Sequence, residues 1–324
     1  MFRQLLVPLD RSVLAEQAVG LAAAIARSAH AQLDLMLVHE PLPFAGFADA
    51  PWNEDEWSSE QKYLQGIVQE VLSGAKIPVS QKVMRGGVVE MICNRAIEVD
   101  ADLIVMTSHG RTGASRAWLG SIADGVIRRS GAPVLLLHPV ETKSPRSAAR
   151  HLFKKVLVPL DGSAIAADAL ASAGALARCS NAKLVLLRVV KPVPMILVDP
   201  GLPLMYPPPI PDDVVTDRLV DEAKEQLADV AARTAETTGV NVESHVVVES
   251  SAAHGIINFA RGNEVDVIAM SVHGRGASRL LIGSVADKVL RGSGLPILLH
   301  RPIGVAESAD SVPPPLTESE NYVI

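Results

Sequence analysis

Apolar residues fall into short runs of strand length separated by longer stretches with helical spacing, and the whole pattern occurs twice. Gln4 to Asp10 is an apolar run closed by Pro8 and Asp10, and Phe153 to Asp161 repeats it, so the chain is an internal duplication. Ala-rich stretches follow, from Ser12 to His30 and from Ser163 to Asn181, each opened by a serine able to cap a helix. Gln32 to His39 and Lys183 to Val190 read as second strands by their aliphatic content. Helices are predicted over about Glu56 to Ser73 and Asp212 to Thr238, the latter with Leu219, Ala223, Leu227 and Val230 as its apolar stripe. Val79 to Met84 and Asn241 to Val248 read as third strands, followed by short helices around Val89 to Ile97 and Ala253 to Arg261. Each copy then has a fourth apolar run, a glycine loop, a helix (Ser121 to Ser130, Ser284 to Ser293) and a last strand (Pro133 to His138, Pro296 to His300).

The loops after the second strands differ. Phe44 to Trp57 is acidic and aromatic, whereas Lys191 to Pro211 carries eight prolines and is therefore neither regular helix nor central strand. It reads as an irregular surface connection, with a partner-binding proline segment as the alternative. Glu141 to Arg150 is a polar linker. The expected organisation is a first domain over 1–140, a linker over 141–152, a second domain over 153–303, and a Pro/Ser/Glu-rich flexible tail over 304–324.

Strictly alternating strands and helices imply right-handed crossovers and an α/β fold, an open parallel sheet with helices on both faces. Ligands of such sheets sit beyond the carboxyl ends of the strands, where strand order reverses. Asp10 and Asp161 end the first strands there. The other contributor is the stretch Asp102 to Ser121, DLIVMTSHGRTGASRAWLGS, which returns as Asp266 to Ser284, DVIAMSVHGRGASRLLIGS. Its continuous apolar run suits a strand buried on both faces. Gly110 and Gly113 then let backbone approach a ligand, and Gly120 with Ser121 places a hydroxyl and free N–H groups in the first turn of the next helix. Strand end, bare backbone and helix N-terminus make an anion site, and a nucleotide phosphate suits it. Arg111 and Arg275 are candidates to reach a phosphate, or are solvated. Ser121 also suits a plain helix cap, and Asp10 a turn that starts the first helix. His109 and His273 each lack a partner at ligand spacing, so they read as loop anchors and no metal set is expected.

Composition narrows the rest. The 324 residues carry a net charge of −6 and 3% aromatics, which disfavours nucleic acid and anionic membranes as partners. No apolar run reaches the length of a membrane span, and the N-terminus meets Asp10 before a signal core develops. Cys93 and Cys179 stand apart from each other and from histidines, so both read as buried small hydrophobes in a reducing compartment, the cytoplasm. There is no GxxxxGK[ST], G-x-S-x-G, H-E-x-x-H or C-x-x-C, and no G-x-G-x-x-G follows the first strand of either half.

The combination of VPLD, MTSHGRTG and LGS, in order and at kept spacing, resembles tandem universal stress protein domains, over roughly 1–140 and 152–302. The resemblance implies two Rossmann-like, adenine nucleotide alpha hydrolase-like domains with five-stranded parallel sheets. The family's ATP pattern is Gly, two residues, Gly, nine residues, Gly, then Ser or Thr. Gly110, nine residues, Gly120 and Ser121 match it, with Thr107 at the leading position; the second copy has Ser271 there and eight residues between Gly274 and Gly283, before Ser284. By resemblance Asp10 and the backbone of Val38 face the adenosine while Gly110, Gly120 and Ser121 hold phosphates. The matching residues are Asp161, Val189, Gly274, Gly283 and Ser284. Thr107 and Ser271 add side chains where the pattern has none, and the shortened second loop departs further. ATP, with Mg²⁺ as the bridging ion, is therefore expected mainly in the first half. Family members pair through the last strand, so the two halves are expected to form an intrachain pseudo-dimer, with a further homodimer open.

Three functions follow. The first is an ATP-dependent switch or sensor in stress adaptation, acting on a protein partner through ligand-ordered loops, 107–119 and 44–57. The second is an interaction scaffold of the same fold that binds no nucleotide. The third is a slow ATPase, since no residue reads as a strong general base for water.

Overall fold

A computed structural model describes residues 1–40, 54–74, 76–108, 119–138, 152–193, 212–272 and 283–301. The first half runs β1 (Gln4–Leu9), α1 (Val13–Ala29), β2 (Gln32–His39), α2 (Glu54–Ile67), β3 (Val79–Arg85), α3 (Val88–Glu98), β4 (Leu103–Thr107), α4 (Ser121–Arg129) and β5 (Val134–Leu137). The second runs β6 (Lys155–Pro159), α5 (Ala164–Ala167), α6 (Ala169–Ser180), β7 (Lys183–Val190), α7 (Asp212–Thr238), β8 (Val242–Val248), α8 (Ala252–Gly262), β9 (Val267–Ser271), α9 (Ser284–Gly292) and β10 (Ile297–His300).

Local chemistry explains the boundaries. Ser12 caps α1 by accepting from the Ala15 amide at 3.1 Å, and Ser163 does the same for Ala166 at 3.1 Å. Both helices stop at a residue that tolerates the left-handed region, His30 at φ 55° and Asn181 at φ 53°. Asp168 interrupts the second of these predicted helices, dividing it into α5 and α6. The helix predicted over 56–73 begins two residues earlier, at Glu54, and ends in a π-helical turn, Val68–Leu72.

Strand order is β3-β2-β1-β4-β5 in the first half and β8-β7-β6-β9-β10 in the second, and the halves join into a single ten-stranded sheet. Neighbours within each half are parallel. The junction is antiparallel, with Leu298 opposite Leu135. One face of the sheet packs on α1, α2, α6 and α7 and the other on α3, α4, α8 and α9. Each apolar layer runs through both halves. Across the junction Ser28 on α1 donates to the carbonyl of Cys179 on α6, and Arg301 donates to the carbonyl of Arg128 at the end of α4.

Burial departs from expectation at particular positions. Leu219, predicted in the apolar stripe of α7, is 39% exposed, whereas Ala223 and Leu227 are buried. Cys179 is buried, and that burial pushes the thiol up to about 11. Cys93 is only half-buried. The central β2 contains Asp34, fully buried amid aliphatic neighbours. Its carboxylate takes Arg95 Nε and Nη2 of α3 at 3.0 and 2.6 Å, and the Ser80 hydroxyl, so the charge is paired and hydrogen-bonded.

Candidate nucleotide site at the strand ends

In the first half β1 lies between β2 and β4, so the crossovers on its two sides run in opposite directions and leave a crevice at the carboxyl ends. The β1–β2 ladder pairs Leu9 with Leu37, which brings Asp10 and Val38 to the same level. Asp10 Oδ1 accepts from the Ser12 amide at 2.9 Å, and Ser12 in turn caps α1. The carboxylate is thus held in a turn rather than acting as the cap itself. Between them Arg11 occupies φ 67°, a conformation that suits glycine.

Thr107 and Ser108 close β4, both buried. The Ser108 amide donates to the Leu137 carbonyl of β5 at 2.8 Å, and the Ser108 carbonyl accepts from the Gly120 amide at 2.9 Å. This pair of bonds sets the N-terminus of α4 directly beside the end of β4. The helix cap is Gly120, with φ −62° and ψ 147° and no side-chain cap bond. Ser121 is the first helical residue, not the cap. Its hydroxyl is therefore not committed to capping, and no cap side chain covers the first-turn N–H groups, which is the arrangement an anion needs. His109, Gly110, Arg111 and Gly113 lie outside the described residues.

The second half repeats the frame with different chemistry. Asp161 Oδ1 accepts from the Ser163 amide at 2.9 Å and the Ser163 hydroxyl at 2.6 Å. Burial raises its pKa, but those two bonds and the charge of Arg188 outweigh burial and leave the carboxyl below its ordinary value. Arg188 stands in β7 where the first half has the buried Leu37, as the registers Pro159 to Leu187 and Pro8 to Met36 show. Its guanidinium presses on Gly162, at φ 87°, where an added Cβ would meet Nη1. Val189 packs instead against α8, its Cγ1 3.0 Å from the position of a Cβ on Gly255. Ser271 ends β9 with a buried hydroxyl that has no hydrogen-bond partner among the described residues. Gly283 caps α9 as Gly120 caps α4, and Ser284 is again the first helical residue. His273, Gly274 and Arg275 lie outside the described residues.

The structure thus brings Asp10, Val38, Thr107, Gly120 and Ser121 to one end of the first half, and Asp161, Val189, Ser271, Gly283 and Ser284 to the corresponding end of the second. Sequence reasoning missed Ser108 and Arg188. Ser108 has an unremarkable side chain and acts through its backbone. Arg188 is visible only when the two copies are aligned and a leucine is found replaced.

A doubly wound α/β sheet, open at a switch point with a bare helix N-terminus beside it, defines the class of Rossmann-like domains. The universal stress protein family model matches residues 1–138 and 152–301, and the chain belongs to that family. It is 30% identical over 150 residues to a universal stress protein of Methanocaldococcus jannaschii, an alignment covering 46% of this chain and 82% of the relative. A universal stress protein of Mycobacterium tuberculosis is 27% identical over 206 residues, which spans 63% of this chain and 63% of that protein. The crystal structure of a universal stress protein from Archaeoglobus fulgidus superposes with a TM-score of 0.62 at 18% identity, covering 92% of this chain and 98% of that one. That likeness speaks to the fold alone.

Proposed function

We propose that the first half binds an adenine nucleotide, ATP with Mg²⁺, and that occupancy serves as a switch or sensor in stress adaptation. The observation that carries this reading is the hydrogen bond from the Gly120 amide to the Ser108 carbonyl at 2.9 Å. It sets an uncapped helix start, with Ser121 as its first residue, beside the strand end where Asp10 and Val38 lie level. In this reading Gly120, Ser121 and the glycines at 110 and 113 hold the phosphates, Arg111 is a further candidate to contact them, and Asp10 accepts from the ribose or adenine. A ligand there changes the segment between β4 and α4 and so the surface offered to a protein partner. Hydrolysis, if catalysed, is slow, because none of these residues is a strong base. We place the protein in the cytoplasm. Its two cysteines are both free, and no helix among the described residues is long and apolar enough to cross a membrane.

A different role for the second half is favoured by Arg188. A cation already lies beside Asp161 and over the Gly162 turn, so this crevice is part-filled by the protein's own side chain. The second half then acts as a scaffold joined to the first through the common sheet.

Isothermal titration of Mg-ATP into wild type and Gly120→Val, each confirmed as folded by circular dichroism, tests both readings. One site in wild type and none in the variant is expected. No binding to nucleotide-free wild type overturns the nucleotide reading and leaves the scaffold.

A further inference from the structure

One residue beyond Val38, and turned to the opposite face of β2, His39 meets the helix α2. Its Nδ1 lies 3.2 and 3.1 Å from the two carboxylate oxygens of Glu60. Glu60 is buried, with a side chain 6% exposed, and the His39 side chain is 15% exposed. Glu56 precedes Glu60 by one helical turn and therefore shares its face of α2. One ligand atom from each of His39, Glu56 and Glu60 lies within 4.8 Å of the other two. Trp57 packs against the imidazole edge-on, with ring centroids 6.4 Å apart at 68°, and so fixes the ring plane.

We propose that His39, Glu56 and Glu60 form a binding site for a first-row divalent cation, with Zn²⁺ the best fit. The proposal is independent of the nucleotide reading. One imidazole nitrogen and two carboxylates are a donor set that borderline cations accept. Bonds of about 2.0–2.2 Å at near-tetrahedral angles place ligand atoms about 3.4 Å apart. The His39 to Glu60 separations already approach that edge, so closing the site asks for a movement of the Glu56 carboxylate toward them. Glu56 is exposed, which supplies an entry path and leaves solvent at the remaining coordination position. A bare His–Glu hydrogen bond also satisfies these two buried groups. That bond uses two of the three groups, whereas a metal uses Glu56 as well.

The site belongs to one half only. β7 has Val190 where β2 has His39, so the duplication has not copied it. Across the ladder from His39 is Arg85 of β3.

The test uses the full-length, chelator-stripped and nucleotide-free chain, titrated calorimetrically with Zn²⁺ and followed separately by visible absorption on adding Co²⁺. One tight equivalent per chain is expected, with a Co²⁺ spectrum of low-symmetry N/O coordination. His39→Gln should abolish that equivalent. Glu56→Gln changes an exposed side chain, its fold checked by circular dichroism, and should weaken binding at least about tenfold. Zn²⁺ binding that is absent from wild type, or that is unchanged in Glu56→Gln and His39→Gln, would overturn the site. Those outcomes would assign His39 and Glu60 to a structural hydrogen bond and any bound metal to other histidines of the chain.

Discussion

The carbonyl oxygen of Ser108 accepts from the amide of Gly120 at 2.9 Å, so the end of β4 and the start of α4 are held together whatever lies between them. The backbone of Gly120, at φ −62° and ψ 147°, is one that proline also adopts. Gly120→Pro therefore keeps the backbone angles but removes the donor and sets its Cδ against the Ser108 carbonyl, whereas Gly120→Ala keeps the bond. Urea unfolding is expected to show a loss of more than about 1 kcal/mol for proline and a smaller change for alanine. Mg-ATP affinity should fall in the proline variant beyond any loss seen in alanine. Equal behaviour of the two in both assays would show that the bond does not organise the site.

Asp34 and Arg95 form a bidentate pair with the carboxylate fully buried. Breaking it from one side strands a charge, so Asp34→Ala or Arg95→Met alone should cost about 3–5 kcal/mol by denaturant titration. The double change Asp34→Leu with Arg95→Met should recover most of that loss. Additive losses in the double variant would contradict the pairing argument.

Arg11 and Gly162 occupy equivalent turns, at φ 67° and φ 87°. Only the second half has the residue that suits this region. Arg11→Gly is expected to stabilise the chain by roughly 0.5–1 kcal/mol, the relief of the left-handed strain less the entropy cost of glycine. A lower melting temperature in Arg11→Gly would mean that the arginine side chain makes a compensating contact.

His300 ends β10 half-buried, with Nδ1 3.2 Å from the Ser172 hydroxyl. Desolvation holds its pKa below the ordinary value of 6.5, with Asp168 opposing. The folded state therefore binds this proton less readily than the unfolded chain. The stability it contributes is present above about pH 6.5 and is lost as pH falls toward the folded pKa. The melting temperature of wild type should drop over that interval, and His300→Gln should flatten the drop. An unchanged profile in the variant would assign the acid sensitivity to other groups.

The duplication, the helix starts at Ser12 and Ser163, and the placement of Asp10 at a strand end and Gly120 at a helix start were legible because they rest on local chemistry. Capping, helical spacing and buried runs depend on residues close in sequence. What escaped reading depends on partners brought from afar. Asp34 interrupts an aliphatic strand, and its charge makes sense only beside Arg95, sixty-one positions on. His39 and Glu60 meet across a strand and a helix. Leu219 follows the apolar spacing of α7 and is nevertheless exposed, because helical spacing does not say how far along its length a helix is covered. Ser121 could be a cap or the residue after one, and only the backbone angles of Gly120 decide between them.

The antiparallel meeting of β5 and β10 gives the molecule two heads. Because every strand within a half points the same way and the halves oppose each other, the two crevices open toward opposite rims of one continuous sheet. A protein that grips the first rim leaves the second untouched. The shared sheet is then a spacer between two rims, and under the proposed function only the first of them answers to nucleotide.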